Sequence, residues 1–224
     1  MMRMIAALFS GGKDSTLAIH RAREMGKKVE LLITMVSDND FSYMFHKPNI
    51  NITELQAAAL GIRRVAYRTK GEKEEELADI ERSLRDNGVS ELVTGAVASS
   101  YQKDRIEAIC KRLSVNAISP LWMIDPLEEL KELSENYNVI ITQIAAEGFD
   151  ESMLGARIDA SMIEKLKSIN SRHRINMLFE GGEAESLVLD APMFSKRIEV
   201  GESHIERDGS VSRYIVDSAI LIDK

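Results

Sequence analysis

The chain of 224 residues carries 36 acidic and 29 basic side chains, a net charge of −7, with 44% hydrophobic and 29% charged residues. That length allows a sizeable core, as one large domain or a domain with a smaller partner, and the composition is that of a globular protein. The acidic balance argues against nucleic acid without excluding a local basic patch; the single cysteine, Cys110, rules out an internal disulfide and argues against a cysteine-based metal site.

No apolar run approaches the ~18 residues of a membrane span, and Met1-Met2-Arg3 leads into a strand without signal-peptide anatomy, so a cytoplasmic location is expected. In chain order, residues 4–9 read as a short apolar strand, 14–25 as a helix ended by Gly26, and 29–36 as a continuous apolar strand covered on both faces. Residues 38–51 are polar and aromatic without period and read as a long functional loop. Thr53-x-x-Gln56, Thr69-x-x-Glu72 and Ser99-x-x-Gln102 each read as a capping box opening a helix. Short strands are expected at 64–68, 91–94 and 116–119. Alternating strands and helices make a doubly wound parallel α/β domain over residues 1–122, with its ligand at strand C-termini.

After Pro120-Leu121-Trp122 the rhythm changes. Asp125-Pro126 starts a capped helix, 139–145 is a strand, 157–170 a helix, and strands follow at 186–189, 197–200, 204–207 and 211–217. Asp208-Gly209 marks a hairpin turn. Residues 123–224 are therefore expected to form a second, smaller α+β domain, packed tightly because no linker intervenes.

The chemistry begins at Ser10-Gly11-Gly12-Lys13-Asp14-Ser15-Thr16, directly after the first strand. A glycine loop opening a helix presents backbone N–H groups and the positive helix end to a phosphate. Gly11 and Gly12 allow close approach, Ser10 and Ser15 add hydroxyl donors, and Lys13 a cation. The plainer alternative is a capped strand–helix turn. The spacing is neither G-x-x-x-x-G-K-[ST] nor G-x-G-x-x-G.

Ser-Gly-Gly-x-Asp-Ser-[Ser/Thr] in this place resembles the PP-loop of the ATP pyrophosphatases, which implies a HUP-like fold and ATP cleaved between the α- and β-phosphates. Along nearly the whole chain, Asp40–His46, Gly95–Arg105, Pro120–Trp122, Leu154–Asp159 and Glu180–Pro192 resemble the diphthine–ammonia ligase family. That resemblance implies amidation of diphthine on translation elongation factor 2 by ammonium through an acyl-adenylate, with ATP and Mg²⁺, releasing AMP and pyrophosphate. Four positions depart from the family pattern. Phe179 replaces a usual Gly, Ala184 a usual aromatic, Ser186 a usual Thr, and Ala156 an Arg found in many members.

For this chemistry Ser10, Gly11, Gly12, Lys13, Asp14, Ser15, Thr16 and Gly95 are the expected nucleotide-binding residues. Lys13 would stabilise the departing pyrophosphate. Asp14 would orient the loop or assist Mg²⁺, or simply cap the helix. Glu180, Glu183 and Glu185 crowd three carboxylates into one glycine-containing run, which suits Mg²⁺, ammonium or the trimethylammonium of diphthine, or a solvated acidic turn. Glu183 and Glu185 join the catalytic expectation. Tyr43, His46 and Trp122 read as an aromatic cage or as packing. Tyr101, Gln102 and Arg105 share a helix face for phosphate or carboxylate, with a surface ion pair of Arg105 as the alternative. Arg157 and Asp159 would reach the substrate from the second domain or form a structural pair. Cys110 reads as core.

Other readings remain. A tRNA-modifying PP-loop enzyme is disfavoured by the acidic charge and lone cysteine, an amide ligase for a different carboxylate is open, and a nucleotide sensor would not need Lys13 with the acidic run. Free ammonium is the expected nitrogen source, since no glutaminase-type cysteine is present. A homo-oligomer is left open.

Overall fold

The computed structural model describes residues 4–37, 49–70 and 73–224. The first half contains β1 (Met4–Leu8), α1 (Lys13–Glu24), β2 (Leu31–Ser37), α2 (Thr53–Leu60), β3 (Arg63–Thr69), α3 (Lys73–Asp86), β4 (Val89–Val93), α4 (Ser100–Leu113) and β5 (Asn116–Ile118). Its strands form one parallel sheet in the order β3-β2-β1-β4-β5. This is the doubly wound sheet expected from the alternating pattern. The order reverses between β1 and β4, and that switch point opens a crevice at the strand C-termini.

Side-chain parity explains why these strands are apolar throughout. Ala6, Leu31, Ile33 and Leu92 face a core made with Ile80 and Leu84 of α3 and Ile109 and Cys110 of α4. Their chain neighbours Ala7, Leu32 and Val93 face the opposite side, against Leu17 and Ala18 of α1 and Ala57 of α2. A strand covered on both faces has no solvent side on which to place polar residues. Cys110 is core as expected, and burial pushes its thiol up to about 11.

The second half contains α5 (Pro126–Asn136), β6 (Asn138–Ile144), α6 (Ala160–His173), β7 (Ala184–Asp190), β8 (Arg197–Val200), β9 (Ser203–Asp208), β10 (Val211–Val216) and β11 (Ala219–Ile222). An antiparallel sheet runs β7-β6-β10-β9, and β8 pairs with β11. Strand β11 escaped the sequence reading. The hairpin lies one residue later than expected: Asp208 is still paired with Val211, and the turn is Gly209-Ser210, with Gly209 at φ 59°. Among the described residues no helix is long and apolar enough to cross a membrane.

The halves share a core. Leu130 and Leu133 of α5, Val139 of β6, Leu187 of β7 and Phe194 belong to the same apolar cluster as α1 and α2. Hydrogen bonds cross as well. Ser195 donates its N–H to the Ala59 carbonyl at 2.8 Å. The Asn49 side chain donates to the Tyr214 carbonyl at 2.8 Å and accepts from the Val216 N–H at 2.7 Å, acting as a short extra strand against β10.

Asn49 sits at φ 65°, a left-handed conformation that asparagine tolerates better than alanine. Asn49→Ala should leave two β10 backbone groups unpaired and strain the chain, lowering stability by about 2–4 kcal/mol. Urea unfolding checks this, with the midpoint falling and the slope unchanged.

Candidate active site

Gly12 is the N-cap of α1, so the helix begins at Lys13 and its first turn faces the switch-point crevice. First-turn N–H groups have no intrahelical partner and carry the positive end of the dipole. Gly11 makes this geometry possible: it sits at φ 79°, and a Cβ there would come within 2.2 Å of Gln56 Oε1. At Gly95 a Cβ would lie 2.8 Å from backbone atoms of Asp14 and Ser15, so only glycine lets the segment after β4 pack on the start of α1.

A pocket with about 850 Å³ of empty space, open mouth included, lies between these two segments. One wall is apolar, with Leu8, Ile33, Met35 and Ile106; the other carries Ser10, Asp14, Ser15, Gly95 and Gln102. A flat apolar base at one end and phosphates at the other suit these residue types, so a nucleotide fits this chain. Among the described residues no group of three or more His, Cys, Asp or Glu side chains could hold a metal ion.

The loop is braced from the second half. Val188 of β7 donates its N–H to the Gly11 carbonyl at 3.0 Å. Gln56 Nε2 donates to that carbonyl at 2.8 Å and to the Val188 carbonyl at 2.7 Å. Lys13 N–H donates to Ser186 Oγ at 3.2 Å. Gln56 thus serves the loop rather than the expected capping box, and Thr53 Oγ1 donates back to the Ile50 carbonyl. The Ser99 cap does form, accepting from Gln102 N–H at 3.4 Å. Glu72 of the remaining expected box lies outside the described residues.

Two loop residues depart from expectation. Lys13 is 1% exposed and does not line the pocket. Its Nζ donates to Asp14 Oδ1 and, at 2.7 Å, to the Leu178 carbonyl; it lies 3.7 Å from Glu129 Oε1 and 5.5 Å from the Phe179 ring centroid. Burial opposes its charge, but Asp14 and Glu129 outweigh burial and hold the ammonium above its usual range. Lys13 is therefore a cation of the junction between the halves, not a phosphate ligand in this arrangement. Thr16 is wholly buried and spends its hydroxyl on the Gly12 carbonyl at 3.0 Å.

The acidic run is split rather than clustered. Glu180 Oε2 accepts from Ala98 N–H at 3.2 Å and Ser99 N–H at 3.1 Å, at the start of α4. Glu183 accepts from Asn176 N–H at 2.7 Å and Gly181 N–H at 2.8 Å, so its carboxylate is occupied in folding its own loop. Glu185 lies within β7 opposite Gln143. What joins Glu180 and Asp14 is Glu129 of α5, which the sequence reading missed. Its side chain is 0% exposed, lies 3.7 Å from Lys13 Nζ and shares a hydrogen-bonding contact with the Asp14 carboxylate. Burial, with Asp14 and Glu180 nearby, pushes its carboxyl up to about 8 against the pull of Lys13. Burial and Asp14 also raise Glu180, opposed by its backbone donors and Lys13. A signal existed: Glu129, Leu133 and the C-cap residue Tyr137 repeat every four residues along α5 and its end, and all three are buried.

The remaining expectations divide. Gln102 lines the pocket. The Arg105 guanidinium stacks 3.7 Å over the Tyr101 ring, which places the pair on one helix face as expected. The Trp122 ring has Lys103 Nζ 4.6 Å from its centroid and does not line the pocket. Arg157 donates to the Ser134 and Tyr137 carbonyls at 3.0 Å, capping the end of α5. Asp159 is the N-cap of α6, accepting from Met162 N–H at 2.9 Å. Both are structural caps rather than substrate ligands. Tyr43 and His46 lie outside the described residues.

The profile of the Diphthamide synthase N-terminal domain matches residues 2–117, and that of the Diphthamide synthase C-terminal domain matches residues 125–222. The chain belongs to the diphthamide synthase family. Relatives named diphthine–ammonia ligase include the Homo sapiens protein, 29% identical over 90% of this chain and 84% of that protein. The Schizosaccharomyces pombe protein is 30% identical over 98% of this chain and 40% of its own length. Among solved structures, a predicted subunit of tRNA methyltransferase from Methanocaldococcus jannaschii aligns over 85% of this chain and 98% of that chain. Its TM-score of 0.46 and 19% identity are too loose to bear on function.

Family membership sharpens the meaning of Phe179, where the resemblance expected Gly. Its φ is 67°, in the region that favours glycine, while its ring is buried beside Phe149 at 6.1 Å. Packing outweighs the backbone strain of about 1–2 kcal/mol. Phe179→Ala loses the packing and keeps the strain, whereas Phe179→Gly loses the packing and relieves it. The glycine variant should unfold at higher denaturant, by about 1 kcal/mol.

Glu129 generates a pH prediction. The native carboxyl at about 8 lies above its ordinary 4.5, so its contribution is complete below about pH 4.5 and is lost as pH rises through about 8. In ammonium-free buffer the melting temperature of the wild type, relative to Glu129→Gln, should fall across that window and level off above it.

Proposed function

We propose that this chain is an ATP-dependent amide ligase that converts diphthine to diphthamide on translation elongation factor 2, with ammonium as nitrogen source. The observation that carries the reading is the glycine-lined pocket at the switch point in a chain of the diphthamide synthase family. The relatives' name, diphthine–ammonia ligase, supports the amidation.

A carboxylate is a poor electrophile, so amidation needs a better leaving group. The acceptor carboxylate attacks the α-phosphorus of ATP, pyrophosphate leaves, and an acyl-adenylate forms. Ammonia then adds to the acyl carbon, the carbon–oxygen bond to AMP breaks, and the nitrogen loses a proton. In this reading the apolar wall holds the base, and Ser10, Ser15 and the first turn of α1 bind the phosphates. Mg²⁺ would enter on the phosphates and neutralise part of their charge. Gln102 and the stacked Arg105–Tyr101 pair border the acceptor side. A cytoplasmic enzyme fits an acceptor of the translation machinery.

Incubation with ATP, Mg²⁺, ammonium and diphthine-bearing elongation factor 2 tests the proposal. AMP should form together with the mass change of replacing a carboxyl hydroxyl by an amino group. ADP in place of AMP sinks the adenylation step; AMP formation that depends on a different carboxylate moves the acceptor. Gly95→Ala should push the segment after β4 off α1. A misplacement of about 1 Å costs on the order of 100-fold in turnover, and circular dichroism should report a folded protein.

A further inference from the structure

At the other end of the parallel sheet lies a second cavity, with about 1250 Å³ of empty space, open mouth included, against about 850 Å³ for the nucleotide pocket. It sits at the N-terminal ends of β2 and β3, beside the C-terminal ends of α1 and α2. Glu30 lines this cavity and Met35 the nucleotide pocket, with roughly 16 Å of extended chain between them, so the two are separate. Ligands of doubly wound sheets gather at strand C-termini, so the fold alone does not require this cavity.

Its floor is apolar. Ile19 and Val29 are buried there, and Leu60, Ile62 and Met193 are half-buried and pack on the same core. Gly26 and Gly61 sit on its wall with nothing within 4 Å of where a Cβ would be, which leaves the mouth open. Arg23, Lys27, Lys28 and Arg63 border it, against a single carboxylate, Glu30. Lys27 is held by Glu91 at 2.6 Å. Arg23 and Lys28 are exposed and have no acidic partner among the described residues, and Arg63 has only a long contact with the neutral Asn87 at 3.4 Å.

Elsewhere in this acidic chain surface cations pair with carboxylates, as Arg82, Arg85, Arg112 and Arg207 do. Nor are the three free cations needed to finish the helix ends, where the dipole favours basic residues. The Ala22 and Arg23 carbonyls accept from Lys27 and Gly26 N–H, the Ala57 and Ala58 carbonyls from Ile62 and Gly61 N–H, and the Ala59 carbonyl from Ser195 N–H.

We propose that this cavity binds a small amphiphilic anion, an apolar or aromatic body carrying a phosphate, sulfonate or carboxylate. The body lies on Ile19, Val29 and Met193, and the head group is met by Arg23, Lys28 and Arg63. An apolar floor alone would take a neutral hydrophobe, and a basic rim alone would take any anion; together they require both parts in one molecule. An extended nucleic acid fits less well, because a chain of net charge −7 repels it beyond the rim. The site does not depend on what the nucleotide pocket activates.

Fluorescence titration of the full chain with anilinonaphthalene sulfonate, an aromatic anion, tests the site, with ATP at saturation to fill the first pocket. The dye should bind saturably. Phenyl phosphate should displace it, whereas phenol and inorganic phosphate, at the same concentration and ionic strength, should not. Arg63→Glu and Lys28→Glu, made singly at exposed positions away from the nucleotide pocket, should weaken dye binding about tenfold to a hundredfold and leave ATP affinity as it was. Two independent variants cover the case in which one folds poorly. Dye binding that does not saturate, is lost on adding ATP, or is retained at full strength in both variants overturns the proposal. So does displacement by inorganic phosphate or phenol as effective as by phenyl phosphate, or displacement by an RNA oligonucleotide with phenyl phosphate ineffective.

Discussion

A buried lysine sets the terms for this fold. Taking an ammonium out of water costs several kcal/mol after relaxation, so Lys13 at 1% exposure is stable only with close partners. It finds them in three places: Asp14 on its own helix, the Leu178 carbonyl ahead of the acidic run, and Glu129 on α5. Two of the three belong to the second half. The residue that opens the nucleotide-facing helix therefore cannot be solvated by the first half alone, and the parallel sheet needs its neighbour to complete the helix start.

The same dependence holds for the loop backbone. The Gly11 carbonyl receives the Val188 N–H from β7 and the Gln56 amide from α2. Gly12 lies against β7 closely enough that a Cβ would meet the Ser186 carbonyl at 3.2 Å. A loop fixed by strands and helices on both sides loses little entropy when it closes on phosphate, and its donors need no reorganisation as charge develops. Preorganisation of this kind explains why a chain with a recognisable nucleotide loop also carries a tightly packed second half.

Much of this was legible in the sequence because it follows from periodicity. Continuous apolar strands alternating with helices gave the parallel sheet, and the glycine pair after β1 gave the phosphate-facing helix start. Legibility stopped where a side chain leaves its local neighbourhood. Thr53 and Gln56 have capping-box spacing, yet Gln56 serves Gly11 and Val188, whose exposed polar groups only the tertiary fold creates. Glu180, Glu183 and Glu185 are adjacent in the chain but diverge, because one meets a helix start, one its own loop, and one a strand. Arg157 and Asp159, read as candidates for substrate, cap the two helices they adjoin. Charged residues near a site motif are ambiguous in sequence, since helix ends and ligands ask for the same groups. Glu129 shows the converse: its place in the apolar period of α5 was visible, but its meaning depends on Lys13, 116 positions away in the numbering.

Asp14 joins these strands of argument. One side of it faces the nucleotide pocket and the other the Lys13–Glu129–Glu180 junction, so its charge is shared between them. A polyanion in the pocket would disfavour the charged form of Asp14 and favour the charged form of Lys13, so the junction's charges answer to what the pocket holds. Nucleotide in the pocket and positive charge in the junction are thus coupled through one carboxylate. By linkage each favours the other.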